Sequence, residues 1–254
     1  MYFTGPGSRE FSFINYLAVR SAFDVQKPDV IYFYYDVEPV NNIHWNNMKQ
    51  YVTMVKIDKL LEFRGVRIDY PQYQADVVRL QKLLEVGGIY LDTDILTIKP
   101  FSNLLEQHCV LGAEGYRDNV SDLHTCDVLK IGSVSNAVIM AEPNSRFIKD
   151  WLDRLPEALM TNIWAYHAVV LPYQMYVEDP SYFNLQKVES FIPFDFRNNY
   201  IFEINGGEIH KDRLRDSYTV HMWETIWQNE LNKIDNCYLE TENNLFTDLF
   251  KSYR

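Results

Sequence analysis

No stretch of the 254 residues approaches the roughly 18 consecutive apolar residues of a membrane span. The first residues, MYFTGPGSREF, lack a basic segment leading into an apolar one, so no secretory signal and a cytoplasmic location are expected. Cysteine is scarce. Cys109, Cys126 and Cys237 are odd in number and far apart, which excludes a disulfide framework or a cysteine metal site and suits a reducing compartment. Positive charge is also short, with 24 Lys and Arg against 35 Asp and Glu and a net charge of −11, which argues against a nucleic-acid partner. Finally, no run of Gly, Ser or Pro is rich enough to act as a linker, and repeats are absent. One domain over residues 1–254 is expected, near the upper size that one core serves.

What is present is ordinary in apolar content (47%) and charge (23%) but high in aromatics, at 15%. Aromatic faces suit sugars and nucleobases, but composition alone favours a ring-packed core. Apolar spacing predicts a helix over 11–24 (FSFINYLAVRSAFD), capped by Ser12. VIYFYYD (30–36) predicts a strand ending in Asp36, and YVTMVKI (51–57) another. The strongest helix is 72–86 (QYQADVVRLQKLLEV), with Pro71 in its first turn and Gly87-Gly88 after it. IYLDTDILTI (89–98) then predicts one strand, closed by Pro100. Strand and helix in alternation argue for an α/β fold with an open sheet, which binds ligands beyond the carboxyl ends of its strands, where Asp36, Asp92 and Asp94 stand. Further on, 136–143 and 216–223 predict strands, and 145–155 and 157–180 predict helices, the last interrupted by Pro172.

On one strand, Asp92 and Asp94 would share a face. Two such anions repel unless they share a proton or a cation, and hard divalent cations favour carboxylate oxygens while leaving positions for phosphate. The pair is therefore a candidate metal–diphosphate clamp. It is also a common chance pattern in exposed acidic turns. A haloacid-dehalogenase-type phosphatase shows the same Asp-x-Asp but wants Thr or Val where this chain has Leu96, and a later acidic pair, for which only Asp212 and Asp216 offer. A non-catalytic sugar-binding module is the other alternative.

Asp76 and Arg79, three apart, lie on one face of the helix that precedes the pair. The combination ADVVRLQKLLEVGGIYLDTDILTIKPF (75–101) resembles the DXD sugar-binding region of the family-32-type glycosyltransferases, the group of yeast initiating mannosyltransferases and lactosylceramide α-galactosyltransferases. It is also similar to the same stretch of the large clostridial glucosylating toxins. Weaker echoes are YLAVRSAFDVQKPDVIYFYYD (16–36), SNAVIMAEPNSRFI (135–148), WAYHAVVLPYQM (164–175) and VHMWETIW (220–227).

The resemblance implies a GT-A fold, an open mixed sheet flanked by helices with added helices in the C-terminal half. It places the nucleotide-sugar part at about 1–100 and the acceptor part at about 101–254. It implies Mn²⁺ or Mg²⁺, retention of anomeric configuration, a nucleotide-sugar donor (UDP-sugar favoured over GDP-mannose) and a carbohydrate acceptor. It assigns Asp92, Asp94 and His221 to the metal, with Asp92 also on the ribose. Asp76 and Arg79 fall to the sugar hydroxyls, Tyr90 to the donor and Asn136 near the reacting sugar. Trp223 falls over the diphosphate, its indole N–H directed at an oxygen. The family opens with a fuller strand than MYFTG, where Phe3 takes the place of the ring that stacks on the base. Asp36 joins the donor set at its strand end.

Overall fold

The computed structural model of this chain describes residues 1–3, 10–114, 132–161, 163–204 and 210–253; Cys126 lies outside them. In chain order, β1 (Tyr2–Phe3), α1 (Phe13–Gln26), β2 (Tyr32–Tyr35), α2 (Ile43–Met48) and β3 (Thr53–Lys56) come first. The three strands lie parallel in the order β1-β2-β3. α1 begins where Ser12 can cap it. The Ser12 hydroxyl accepts from the Asn15 N–H and the Asn15 side chain accepts from the Ser12 N–H, which satisfies two donors that a helix start leaves open.

A hairpin of β4 (Glu62–Phe63) and β5 (Val66–Arg67) leads to α3 (Pro71–Val86). Pro71 sits in the first turn of α3, where its missing N–H costs nothing, and Gly87 ends the helix at a φ of 67°. A Cβ at Gly87 would stand 2.6 Å from Pro143, so only glycine lets the chain turn here against that loop.

The expected strand over 89–98 is two strands, β6 (Gly88–Leu91) and β7 (Ile95–Thr97). Asp92-Thr93-Asp94 forms a turn between them, closed by the Ile95 N–H on the Asp92 carbonyl at 3.2 Å. Its flanks are apolar enough for one strand, but Asp favours turns, and β7 finds its partner in another sheet. The acids therefore do not share a strand face.

After β8 (Cys109–Ala113) and β9 (Val134–Ala141) come α4 (Arg146–Leu159), a π-helical turn (Tyr166–Val170), α5 (Leu171–Glu178), β10 (Asn184–Gln186) and α6 (Val188–Phe191). β11 (Thr219–His221) follows, with α7 (Gln228–Leu231), α8 (Asn236–Thr241) and α9 (Leu245–Phe250) after it. The central sheet has the order β10-β8-β9-β6, antiparallel except for β10 on β8. Its residues alternate between two cores. Leu91, Val110, Val138 and Met140 face the core of α1 and the C-terminal helices, while Tyr90, Leu111, Ile139 and Ala141 face that of α3, α4 and α5. This is the mixed α/β architecture, with helix-flanked open sheets, that the resemblance implies.

Candidate active site

Arg79 is the hub. Its residue is 5% exposed, reached from the buried face of α3. Nη2 lies 3.1 Å from both Asp76 Oδ1 and Asp92 Oδ1. Nη1 donates to the Asn136 carbonyl at 2.5 Å and to Asp92 Oδ2 at 3.3 Å. The guanidinium lies 4.4 Å from the centroid of the Tyr90 ring, and the Tyr90 hydroxyl donates to Asp92 Oδ1 at 2.7 Å.

β9 supplies Asn136 through an irregularity. Leu111 pairs with Ile139 but Gly112 pairs with Ser135, so residues 136–138 bow out of register with β8. The Asn136 carboxamide then donates to Asp76 Oδ1 at 2.7 Å. His167, 1% exposed, completes the cluster, with Nε2 2.9 Å from Asp76 Oδ2. One guanidinium thus faces two carboxylates, and each acid has further donors, the condition under which buried ions are tolerated. Burial pushes the Asp92 carboxyl above its usual range; Arg79 opposes this, and Asp94 adds to it.

Asp94 turns toward a different set of partners. β11 pairs antiparallel with β7, His221 opposite Ile95. That register lets the Met222 N–H reach the Asp94 carbonyl at 3.0 Å and the Glu224 N–H reach Asp94 Oδ2 at 2.9 Å. His221 Nε2 lies 3.3 Å from the same oxygen. Burial lowers the imidazole's affinity for its proton, but Asp94 and Asp92 more than offset this, and its pKa lies above the ordinary value. His221 Nδ1 is buried and finds no hydrogen-bond partner among the described residues.

α1 clamps the turn from the other side. The same Asn15 carboxamide that caps the helix donates to the Thr93 carbonyl at 2.9 Å and to Glu224 Oε2 at 3.3 Å, and Ser12 Oγ donates to Glu224 Oε1 at 3.1 Å.

The structure thus gathers Asp76, Arg79, Tyr90, Asp92 and Asn136 in one network and Asp94, His221 and Trp223 in the next. Two orientations differ from expectation. Trp223 has a left-handed φ of 46°, which breaks strand alternation; its ring stacks on His221 at 4.0 Å, and its indole N–H donates to the Phe194 carbonyl at 2.8 Å. That N–H is therefore not directed at a diphosphate. Tyr90 is 6% exposed, with ring and hydroxyl both engaged by Arg79 and Asp92, so it supports those residues from beneath.

Asp36 is buried at the end of β2, where its Oδ1 accepts the Val37 N–H at 2.7 Å. Phe3 is set beside Tyr35 by the β1–β2 pairing, and its side chain lies outside the described residues. Sequence reasoning passed over Asn15, His167 and Glu224. Only Asn15 carried a readable signal, three residues after a capping Ser. The phosphatase alternative finds no footing, since Leu96 is buried in β7 and Asp212 is an exposed partner of Arg215 at 2.6 Å.

Residues 16–111 match a family model described as the glycosyltransferase sugar-binding region containing DXD motif. They belong to that family. Glucan organizing enzyme 1 of Cryptococcus neoformans var. grubii is 30% identical over 249 residues, 98% of this chain. The chain spans 66% of that protein's length. A solved structure, the PaToxG glycosyltransferase, aligns over 100% of this chain and 84% of its own at 14% identity and a TM-score of 0.43. The family's DXD motif is the Asp92-Thr93-Asp94 turn, and the helix that carries Asp76 and Arg79 lies within the matched span.

Proposed function

We propose that this chain is a glycosyltransferase that moves a hexose, with retention, from a nucleotide-diphosphate sugar to a carbohydrate hydroxyl, using a UDP-sugar in preference to GDP-mannose. The observation that carries the reading is the buried Asp76–Arg79–Asp92 bridge, which joins the sugar-binding helix to the DXD turn and is braced by Asn136. Fixed, charged hydrogen-bonding groups of this kind suit sugar hydroxyls. Asp76, Arg79 and Asn136 are assigned to the donor sugar, Asp92 to ribose and metal, and Asp36 and Phe3 to the nucleoside end, while the Trp223 ring backs His221.

The residues present fit a divalent cation. Asp92 and Asp94 offer hard oxygens, and His221 is an imidazole whose buried Nδ1 has no hydrogen-bond partner among the described residues, a set that suits Mn²⁺ or Mg²⁺. Among the described residues no three His, Cys, Asp or Glu side chains converge as a ready cage. Such an ion would take the rest of its shell from phosphate and water, and when bound it would offset the charge that develops on the departing diphosphate.

Asp76 and Asp92 are poor nucleophiles as held, because each already accepts hydrogen bonds from Arg79 and from a second donor, Asn136 or Tyr90. That favours front-face attack by the acceptor over a covalent adduct. The test is a screen of UDP- and GDP-sugars for Mn²⁺-dependent hydrolysis by the wild type and by Asp94→Asn. Hydrolysis of a UDP-sugar that is lost in the variant is expected. Hydrolysis indifferent to Asp94 and to Mn²⁺ would overturn the reading.

A further inference from the structure

Beside the charged cluster stand rings that the donor site does not use. Tyr70, at the start of α3, and Trp164, just before the π-helical turn, are each 54% exposed. Their centroids are 5.7 Å apart in an edge-to-face pair, and Tyr73 lies 5.2 Å from Tyr70 and 5.5 Å from Trp164. Met160 and Ile163, close to Trp164 in the chain, are also exposed, at 60% and 55%. Scattered apolar side chains at a surface need no explanation, but a contiguous aromatic group held open to water marks a binding surface.

The patch is coupled to the site. Tyr73 also packs edge-on against His167, with centroids 4.2 Å apart, and His167 holds Asp76. One strained segment sets both ends of this connection. Ala165 has a φ of 54°, its N–H reaches the Tyr73 hydroxyl at 3.4 Å, and the π-helical turn begins at the next residue. A left-handed alanine followed by π geometry is costly and persists where the surroundings enforce it, often at functional sites. Here it leaves Trp164 in solvent and sends His167, three residues on, into the core.

We propose that Tyr70, Tyr73 and Trp164 form a carbohydrate platform that receives the acceptor glycan, its rings taking the apolar C–H faces of pyranose units beyond the reacting hydroxyl. The acceptor role rests on the transferase reading above. Carbohydrate is favoured by the chemistry of the place, which links open aromatic faces, through Tyr73 and His167, to a buried carboxylate bonded by amide, imidazole and guanidinium. A sugar chain needs both kinds of contact. A nucleobase also stacks on rings, but the base is already assigned to the β1–β2 edge.

The test measures binding without donor or turnover, so it stands apart from any failure of the transferase reading. Linear gluco-, manno- and galacto-oligosaccharides of about four units are titrated against the intact chain by tryptophan fluorescence and calorimetry. Trp164→Ala, the gentler Trp164→Phe and Tyr70→Ala are compared with the wild type, folding being checked by thermal melts. Saturable binding of at least one series, weakened tenfold or more by Trp164→Ala and by Tyr70→Ala, is expected. If Trp164→Ala does not fold, Trp164→Phe and Tyr70→Ala decide. The proposal is overturned if no series binds, if UDP affinity falls as far as oligosaccharide affinity in the variants, or if the variants only abolish self-association.

Discussion

Removing Arg79 is the most informative single perturbation, because one guanidinium serves two carboxylates. Arg79→Ala leaves Asp76 and Asp92 facing each other across a buried gap, Asp76 with Asn136 and His167 and Asp92 with the Tyr90 hydroxyl. Breaking a buried ion pair from one side costs about 3–5 kcal/mol. For a chain of this size each kcal/mol is about 2–4 °C, so a fall in melting temperature of roughly 6–20 °C is expected. Arg79→Lys keeps the charge but cannot span both acids, and should fall between the variant and the wild type. Neutralising one acid in the alanine background, as Arg79→Ala with Asp92→Asn, should recover about 1–3 kcal/mol as coupling energy.

The pH dependence has a definite sign. In the wild type the Asp92 pKa is already raised, by burial first, with Arg79 holding it down. A carboxyl with a raised folded-state pKa adds stability at low pH that is lost as pH climbs through that value. Without Arg79 the loss extends to higher pH, so Arg79→Ala should be penalised more at about pH 7.5 than at about pH 5. Urea denaturation at both values measures it. A cost below about 1 kcal/mol that does not change with pH would mean the bridge is a surface-like contact of little consequence, and the hub argument fails.

His221 carries a pKa raised by Asp94 and Asp92 against the opposing effect of burial, so its proton competes with a cation through pH values above the ordinary imidazole range. Mn²⁺ affinity, followed by calorimetry, should fall as pH drops through that range, and His221→Ala should flatten the dependence. Asp76→Ala should weaken a UDP-sugar about 1–3 kcal/mol more than UDP, the worth of a charged hydrogen bond, in paired titrations; equal weakening would leave Asp76 a structural acid only. Gly87→Ala should cost more than Gly88→Ala in denaturation, although Gly88 has the larger φ of 97°, because only the Gly87 Cβ meets Pro143. Equal costs would mean strain alone matters there.

Which parts of this molecule the sequence reveals follows from how far each feature reaches along the chain. α1 and α3 are legible because their signals are local: Ser12 before an apolar period, and Pro71 and Gly87 at either end of another. Asp76, Arg79, Tyr90 and Asp92 are legible together because α3 and β6 are joined by one tight turn, so close spacing in sequence becomes adjacency in space. The split of 89–98 is not legible. Whether the chain continues straight through Asp92-Thr93-Asp94 depends on β7 pairing with β11, far downstream, and no local property of the ten residues encodes that partner. The orientation of Trp223 fails for the same kind of reason. Alternation places it beside His221 on one strand face, yet its left-handed φ and the Phe194 carbonyl, both consequences of tertiary packing, turn its N–H away.

His167 is the extreme case. It stands between Ala165 and Pro172 in a stretch whose apolar content predicts plain helix, and only the π-helical turn brings it to Asp76. A histidine that depends on strained backbone for its place is the side chain least visible to spacing rules. Its contact with Asp76 on one side and with the ring of Tyr73 on the other makes that strained segment the physical connection between the Asp76–Arg79–Asp92 cluster and the open aromatic face beside it.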